Sequence, residues 1–136
     1  MNYAEIKLRD VANGPGVRVN LFVSGCEHRC FNCFNKETWD FNYGKPFTKN
    51  ELDEIIKGLQ PQYMTGLTIL GGEPLHPNNI HTVANVCEVV RNIHKYKSIW
   101  IYTGYTIEQL IQIYNARSAH HEELMTILNN IDVMVD

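Results

Sequence analysis

No run of apolar residues in this 136-residue sequence approaches the roughly 20 that a membrane-spanning helix needs. The opening MNYAEIKLRD lacks the apolar stretch of a secretory leader, so a cytoplasmic protein is expected. A basic excess is missing too. Twelve Lys and Arg against fifteen Asp and Glu leave a net charge of −3, which offers no electrostatic footprint for nucleic acid or an anionic membrane. Cysteine is scarce and unevenly placed: three of the four lie between positions 26 and 33, and Cys87 stands alone. That distribution argues against a disulfide framework and for metal binding in a reducing compartment. There is no internal repeat and no low-complexity linker. The chain is too short for a full eight-unit barrel of about 250 residues, yet long enough for one domain, 1–136, with a real core. Its 44% apolar and 20% charged residues are ordinary for a globular protein.

What is there centres on Val17–Phe34, VRVNLFVSGCEHRCFNCF. An apolar strand over Val19–Val23 runs into a Ser24-Gly25 turn, and Cys26, Cys30 and Cys33 follow with C-x3-C-x2-C spacing. Thiolates hold iron–sulfur clusters, and a cubane [4Fe–4S] usually takes four of them. Three clustered cysteines leave one iron open. Cys26, His28, Cys30 and Cys33 also make a Cys3His zinc set on paper, but structural zinc sites usually draw on two separated pairs. The cluster is the better reading. A non-enzymatic zinc or iron–sulfur module acting as a scaffold or electron carrier stays open beside it.

Along the chain, Tyr3–Leu8 alternates like an edge strand or hairpin arm, and Asn13-Gly14-Pro15-Gly16 is a turn. Trp39, Phe41 and Tyr43 alternate after the cysteine loop, where they pack over it or shield a cluster. Thr48 with Glu51 forms a capping box that opens a helix with Leu52, Ile55, Ile56 and Leu59 on one stripe, stopped by Pro61. Leu67–Leu70 is a short buried strand running into Gly71-Gly72-Glu73-Pro74. A helix from about Asn79 to Ile93 places Ile80, Val83, Ala84, Cys87 and Val90 on its buried face, which makes Cys87 a small core hydrophobe. Ser98–Tyr102 is the third buried strand. Thr106 with Gln109 caps another helix, a short one follows over Glu122–Asn129, and Ile131–Val135 is the last strand. His76 and His81 are expected as surface or packing residues, and His120-His121 as solvated loop.

Strands alternating with helices predict an α/β fold with a mostly parallel sheet. In such folds the loops leaving the C-terminal strand ends share one rim, where ligands bind. Here those loops carry the cysteines, Gly71-Gly72-Glu73, Thr103-Gly104-Tyr105 and Asp136.

The cysteine spacing resembles the radical S-adenosylmethionine superfamily, whose incomplete, TIM-like βα barrel suits this order and length. Gly14–Arg18 and Asn35–Trp39 are similar to the activases of glycyl-radical enzymes. GGEPLHPNN (Gly71–Asn79) and IWIYTGY (Ile99–Tyr105) resemble, within those, the activating proteins of anaerobic ribonucleoside-triphosphate reductase. The resemblance implies that Cys26, Cys30 and Cys33 bind a [4Fe–4S] cluster whose fourth iron chelates S-adenosylmethionine. It places Gly71, Gly72 and Glu73 at the methionine amino group, Asn32, Cys33 and Phe34 near the adenine, and Thr103 with Tyr105 at the rim. Many members carry an aromatic immediately before the third cysteine, where this chain has Asn32. The implied activity is reductive cleavage of S-adenosylmethionine to a 5′-deoxyadenosyl radical, which generates a glycyl radical on the reductase's large subunit. Further implications are an external, flavodoxin-like electron donor, a homodimer within a heterotetramer, and a further segment after Asp136. Activation of another glycyl-radical enzyme, such as pyruvate formate-lyase, is the nearest alternative.

Overall fold

The computed structural model describes residues 1–27 and 39–136. Ten elements follow in order: β1 (Asn2–Asp10), β2 (Val17–Val23), β3 (Lys45–Pro46), α1 (Lys49–Gly58), β4 (Met64–Gly71), α2 (Ile80–Ile93), β5 (Ser98–Tyr102), α3 (Ile107–Ile113), α4 (His121–Asn130) and β6 (Val133–Val135). The strands form a six-stranded sheet in the order β3-β1-β2-β4-β5-β6. The pairings from β2 through β6 are parallel, and β1 runs antiparallel to both β2 and β3. This is a mixed α/β fold with a mostly parallel sheet.

Strand order explains the layering. From β2 to β6 each new parallel strand is added on the same side, so right-handed crossovers carry every connecting helix over one sheet face. The register lines up Val19, Leu67 and Ile99, and then Leu21, Ile69 and Ile101, on that face. All six are fully buried. They pack with Leu52 and Ile55 of α1, with the α2 stripe that includes Cys87, and with Leu124 and Ile127 of α4. Burial pushes the Cys87 thiol up to about 12, as a core position dictates. Both capping boxes form as the sequence predicts, at Thr48/Glu51 and Thr106/Gln109.

The opposite face carries the alternate residues, among them Arg18, Asn20, Thr68, Trp100 and Tyr102. At its lower end the 10–16 segment folds beneath the sheet. Asn20 donates to Asp10 and Ala12, and Thr68 donates to the Asn13 carbonyl. Arg18 is fully buried and has no carboxylate partner among the described residues. Instead it donates to Thr68 Oγ1, Ser98 Oγ and the carbonyls of Pro15, Leu67 and Ser98. Gly16 is required there, since at φ +75 a Cβ would lie 2.0 Å from Thr65 Oγ1. The Gly14–Arg18 stretch is therefore a plug at the N-terminal strand ends, opposite the rim.

Several boundaries differ from the sequence reading. β2 and β4 begin two and three residues earlier than their apolar runs, because Arg18 and Gly66 join the ladder without contributing apolar side chains. β1 is a hairpin arm but not the edge, since the two-residue β3 pairs outside it. The last strand shortens to Val133–Val135, as Asp132 turns its carboxylate to the Ile99 amide and to Arg91. His120 and His121 pack rather than hang in a loop. The His120 ring meets Tyr114 edge-on, and His121 Nδ1 lies 2.9 Å from the Tyr114 carbonyl. Among the described residues, no helix is long and apolar enough to cross a membrane.

Candidate functional site

The rim assembles from the C-terminal ends of β2, β4 and β5. Val23 pairs with Gly71, and the ladder continues past both strands: Gly72 N–H donates to the Val23 carbonyl at 2.8 Å and Glu73 N–H to the Gly25 carbonyl at 2.7 Å. Cys26 therefore leaves the sheet directly against Gly72-Glu73. The approach is too close for any side chain. A Cβ on Gly72 would lie 2.5 Å from the Gly25 oxygen, and one on Gly71, at φ +107, would lie 2.7 Å from the Val23 oxygen. Glycine is the residue that allows two backbones to meet in this way. Gly71, Gly72 and Cys26 are all half-buried, so a ligand at the rim reaches them.

Glu73 is only 1% exposed, and its carboxylate serves the loops around it. One oxygen accepts from the Leu75 amide and from Thr103 Oγ1, each at 2.8 Å, and the other accepts from the Gly104 amide at 2.7 Å. Thr103, also buried, donates its backbone N–H to the Val135 carbonyl at 2.9 Å. Glu73 and Thr103 thus tie the ends of β4, β5 and β6 into one rim. The Tyr105 hydroxyl sits among burial, Glu73, Glu27 and Cys26, and burial first, then those negative charges, raise its pKa.

A second set of contacts holds the stem of the cysteine loop. Ser24 is fully buried and donates Oγ–H to the Tyr43 carbonyl at 2.7 Å, while Cys26 N–H donates to the Trp39 carbonyl. The Phe41 ring covers Gly25, which at φ +98 has no room for a Cβ, and packs against the His76 ring at 4.4 Å. This supports local packing for Phe41. His76 is buried, as a packing residue should be. Its Nδ1 accepts from the Asn78 amide, so the proton belongs on Nε2, which faces Glu27 at 3.3 Å. His81 stays exposed beside Glu123.

Of the residues predicted for the site, the structure brings together Cys26, Gly71, Gly72, Glu73, Thr103 and Tyr105. Cys30, Asn32, Cys33 and Phe34 lie outside the described residues. Sequence reasoning missed the roles of Ser24 and of Asn79, whose amide reaches both rim loops. Asn79 stood within the GGEPLHPNN stretch, but its type and position announced only a helix start. An apolar cavity of about 660 Å³ between α1 and α2 is lined by residues such as Phe47, Leu52 and Val89, none of which belongs to the rim.

The rim fits a cluster and a small zwitterionic ligand on the chemistry of its donors. A half-buried cysteine follows directly on Gly25, which is seated against a side-chain-free glycine pair, and a buried carboxylate sets the backbone around them. Comparison with known proteins supports the cluster. Residues 12–136 match the family described as a 4Fe-4S single cluster domain. The chain is 38% identical over 136 residues to the anaerobic ribonucleoside-triphosphate reductase-activating protein of Enterobacteria phage T4, covering all of this chain and 80% of that relative. It is 40% identical over 138 residues to the protein of the same name from Escherichia coli (strain K12), and 41% over 141 residues to that from Salmonella typhi. In both cases all of this chain and 83% of the relative are covered.

Proposed function

The chain belongs to the family of anaerobic ribonucleoside-triphosphate reductase-activating proteins, and on that footing we propose that it is a radical S-adenosylmethionine activase for such a reductase. The observation that carries the reading is the close seating of Gly25, the residue before Cys26, against Gly72-Glu73. It sets the first cysteine of a C-x3-C-x2-C loop beside the loop that would receive the methionine end of the cofactor. Cys26, Cys30 and Cys33 would hold three irons of a [4Fe–4S] cluster. Gly71 and Gly72 would offer backbone to the methionine amino group. Asn32, Cys33 and Phe34 would meet the adenine, and Thr103 would shape the rim beside it. Bound there, the cluster and S-adenosylmethionine would supply, with one electron from a reductant, the 5′-deoxyadenosyl-radical chemistry needed to generate a glycyl radical on the reductase's large subunit.

The chain's own share is binding and placement. The glycine pair lets the ligand approach the backbone. The Glu73 carboxylate acts through Leu75, Thr103 and Gly104, whose positions it fixes. The sheet, with its helices on one side, is the partial βα barrel of the superfamily in this reading. The protein works in the cytoplasm, takes its electron from an external flavodoxin-like donor, and meets the reductase as a homodimer within a heterotetramer.

The test is anaerobic reconstitution with iron and sulfide, reduction, and EPR with and without S-adenosylmethionine, then incubation with the reductase's large subunit. A [4Fe–4S]⁺ signal that changes with the cofactor, release of 5′-deoxyadenosine and a glycyl-radical doublet on the reductase are expected. A colourless protein holding one zinc ion, with no cleavage, would overturn the reading. A doublet formed on pyruvate formate-lyase instead would reassign the partner.

A further inference from the structure

Asn79 occupies the N-cap position of α2, where asparagine is among the best residues because its side-chain oxygen accepts an orphan helix N–H. Here it makes no such bond. Its amide is turned the other way, 1% exposed, and donates both N–H groups to main-chain carbonyls. One is Ser24, at 3.0 Å and 55 residues away in sequence, and the other is Glu73, at 2.9 Å. Both partners are carbonyl oxygens, so only the NH2 end of the amide can face them. The helix forgoes its cap, and two loops gain a common strut.

Those two loops are the stem of the cysteine loop and the glycine-rich loop after β4. Main-chain bonds also join them, Gly72 to Val23 and Glu73 to Gly25, and at their outer ends the His76 ring faces Glu27 at 3.3 Å. Asn79 bonds to both at their bases: its side chain ties Ser24 to Glu73, each followed in the chain by the residues of its loop, Gly25-Cys26 and Pro74-Leu75. We propose that Asn79 is a positioning residue that sets the separation between the first cluster cysteine and the Gly71–Glu73 loop, and through it the affinity for S-adenosylmethionine. The inference rests on the functional reading above. It assigns Asn79 no contact with the ligand.

Aspartate separates bridging from capping. It caps a helix as well as asparagine does, but it has no N–H to give to either carbonyl. Native-state hydrogen exchange on Asn79→Asp is therefore expected to speed at the Gly72 and Glu73 amides by about tenfold, the factor one ordinary hydrogen bond carries. Amides within Val86–Val90 of α2 should keep their protection. After anaerobic reconstitution, iron and sulfide content should match wild type, while the dissociation constant for S-adenosylmethionine, by equilibrium dialysis, rises about tenfold or more. Asn79→Ala, which loses the bridge and offers no cap in its place, should show the same loop exchange and ligand loss, and it keeps the test available if the aspartate variant does not fold. Wild-type protein that binds no S-adenosylmethionine would overturn the functional reading. Wild-type binding with unchanged affinity in the variants, or unchanged exchange at Gly72 and Glu73, would overturn the positioning role alone.

Discussion

Replacing Glu73 by glutamine removes a charge and almost no volume, so it isolates what the carboxylate does. In the native rim, among the described residues, its two oxygens accept hydrogen bonds from the Leu75 and Gly104 amides and the Thr103 hydroxyl. A glutamine has one oxygen and one NH2. With its oxygen toward Leu75 and Thr103, the NH2 faces the Gly104 N–H, donor against donor; flipped, it faces the Leu75 N–H instead. Either way at least one charge-assisted bond is lost at a residue 1% exposed, which costs about 1.5–3 kcal/mol. Taking about 2 kcal/mol, and roughly 3–4 °C per kcal/mol for a chain of this size, the melting temperature should fall by about 6–8 °C. Thr103→Val removes one of the same bonds, so the double variant should lose less than the sum of the two singles. Anaerobic thermal melts of the four proteins by circular dichroism measure this. A Glu73→Gln protein that melts within about 2 °C of wild type would refute the reasoning. If that same protein also lost its affinity for S-adenosylmethionine, the carboxylate would be a direct ligand group and not a tie between strand ends.

Two further outcomes are expected. Arg18→Met should fold poorly or lose at least about 3 kcal/mol in urea denaturation, because five acceptors at the base of the sheet lose a charged donor at once; a loss under about 1 kcal/mol would mean that the 10–16 plug does not depend on it. Cys87 predicts an alkaline slope: its thiol keeps its proton to about 12 when folded and loses it from about 9.0 when unfolded. Between those values the unfolded chain binds fewer protons, so stability falls as pH rises, by about 1.4 kcal/mol per pH unit from this group. Urea titrations from pH 9 to 11 should show a shallower fall for Cys87→Ala than for wild type, and parallel curves would refute the assignment.

The sequence alone determined whatever depends on near neighbours. Both capping boxes, the buried stripes of α1 and α2, the core place of Cys87 and the order of strands and helices could be read because periods of 3.6 and 2 are local properties of a chain. The convergence of Cys26, Gly71–Glu73 and Thr103 on one rim also followed, since a parallel sheet collects the loops after its strands at one end. Tertiary structure alone decided where polar groups spend their hydrogen bonds. Glu73 reads in sequence as a ligand group or a helix-start acid, and only the placement of Thr103 and Gly104, some thirty residues away, shows that its carboxylate also ties loops together. Arg18 stood out in sequence only as part of a stretch resembling the activases, and the fold places it at the end of the sheet away from the rim, buried among acceptors from β4, β5 and the Pro15 turn. Asn79 announced a helix cap and became a strut between two loops, one of them 55 residues away from it. A side chain's partner across such distances is set by which strands the sheet makes neighbours, and no local pattern encodes that choice.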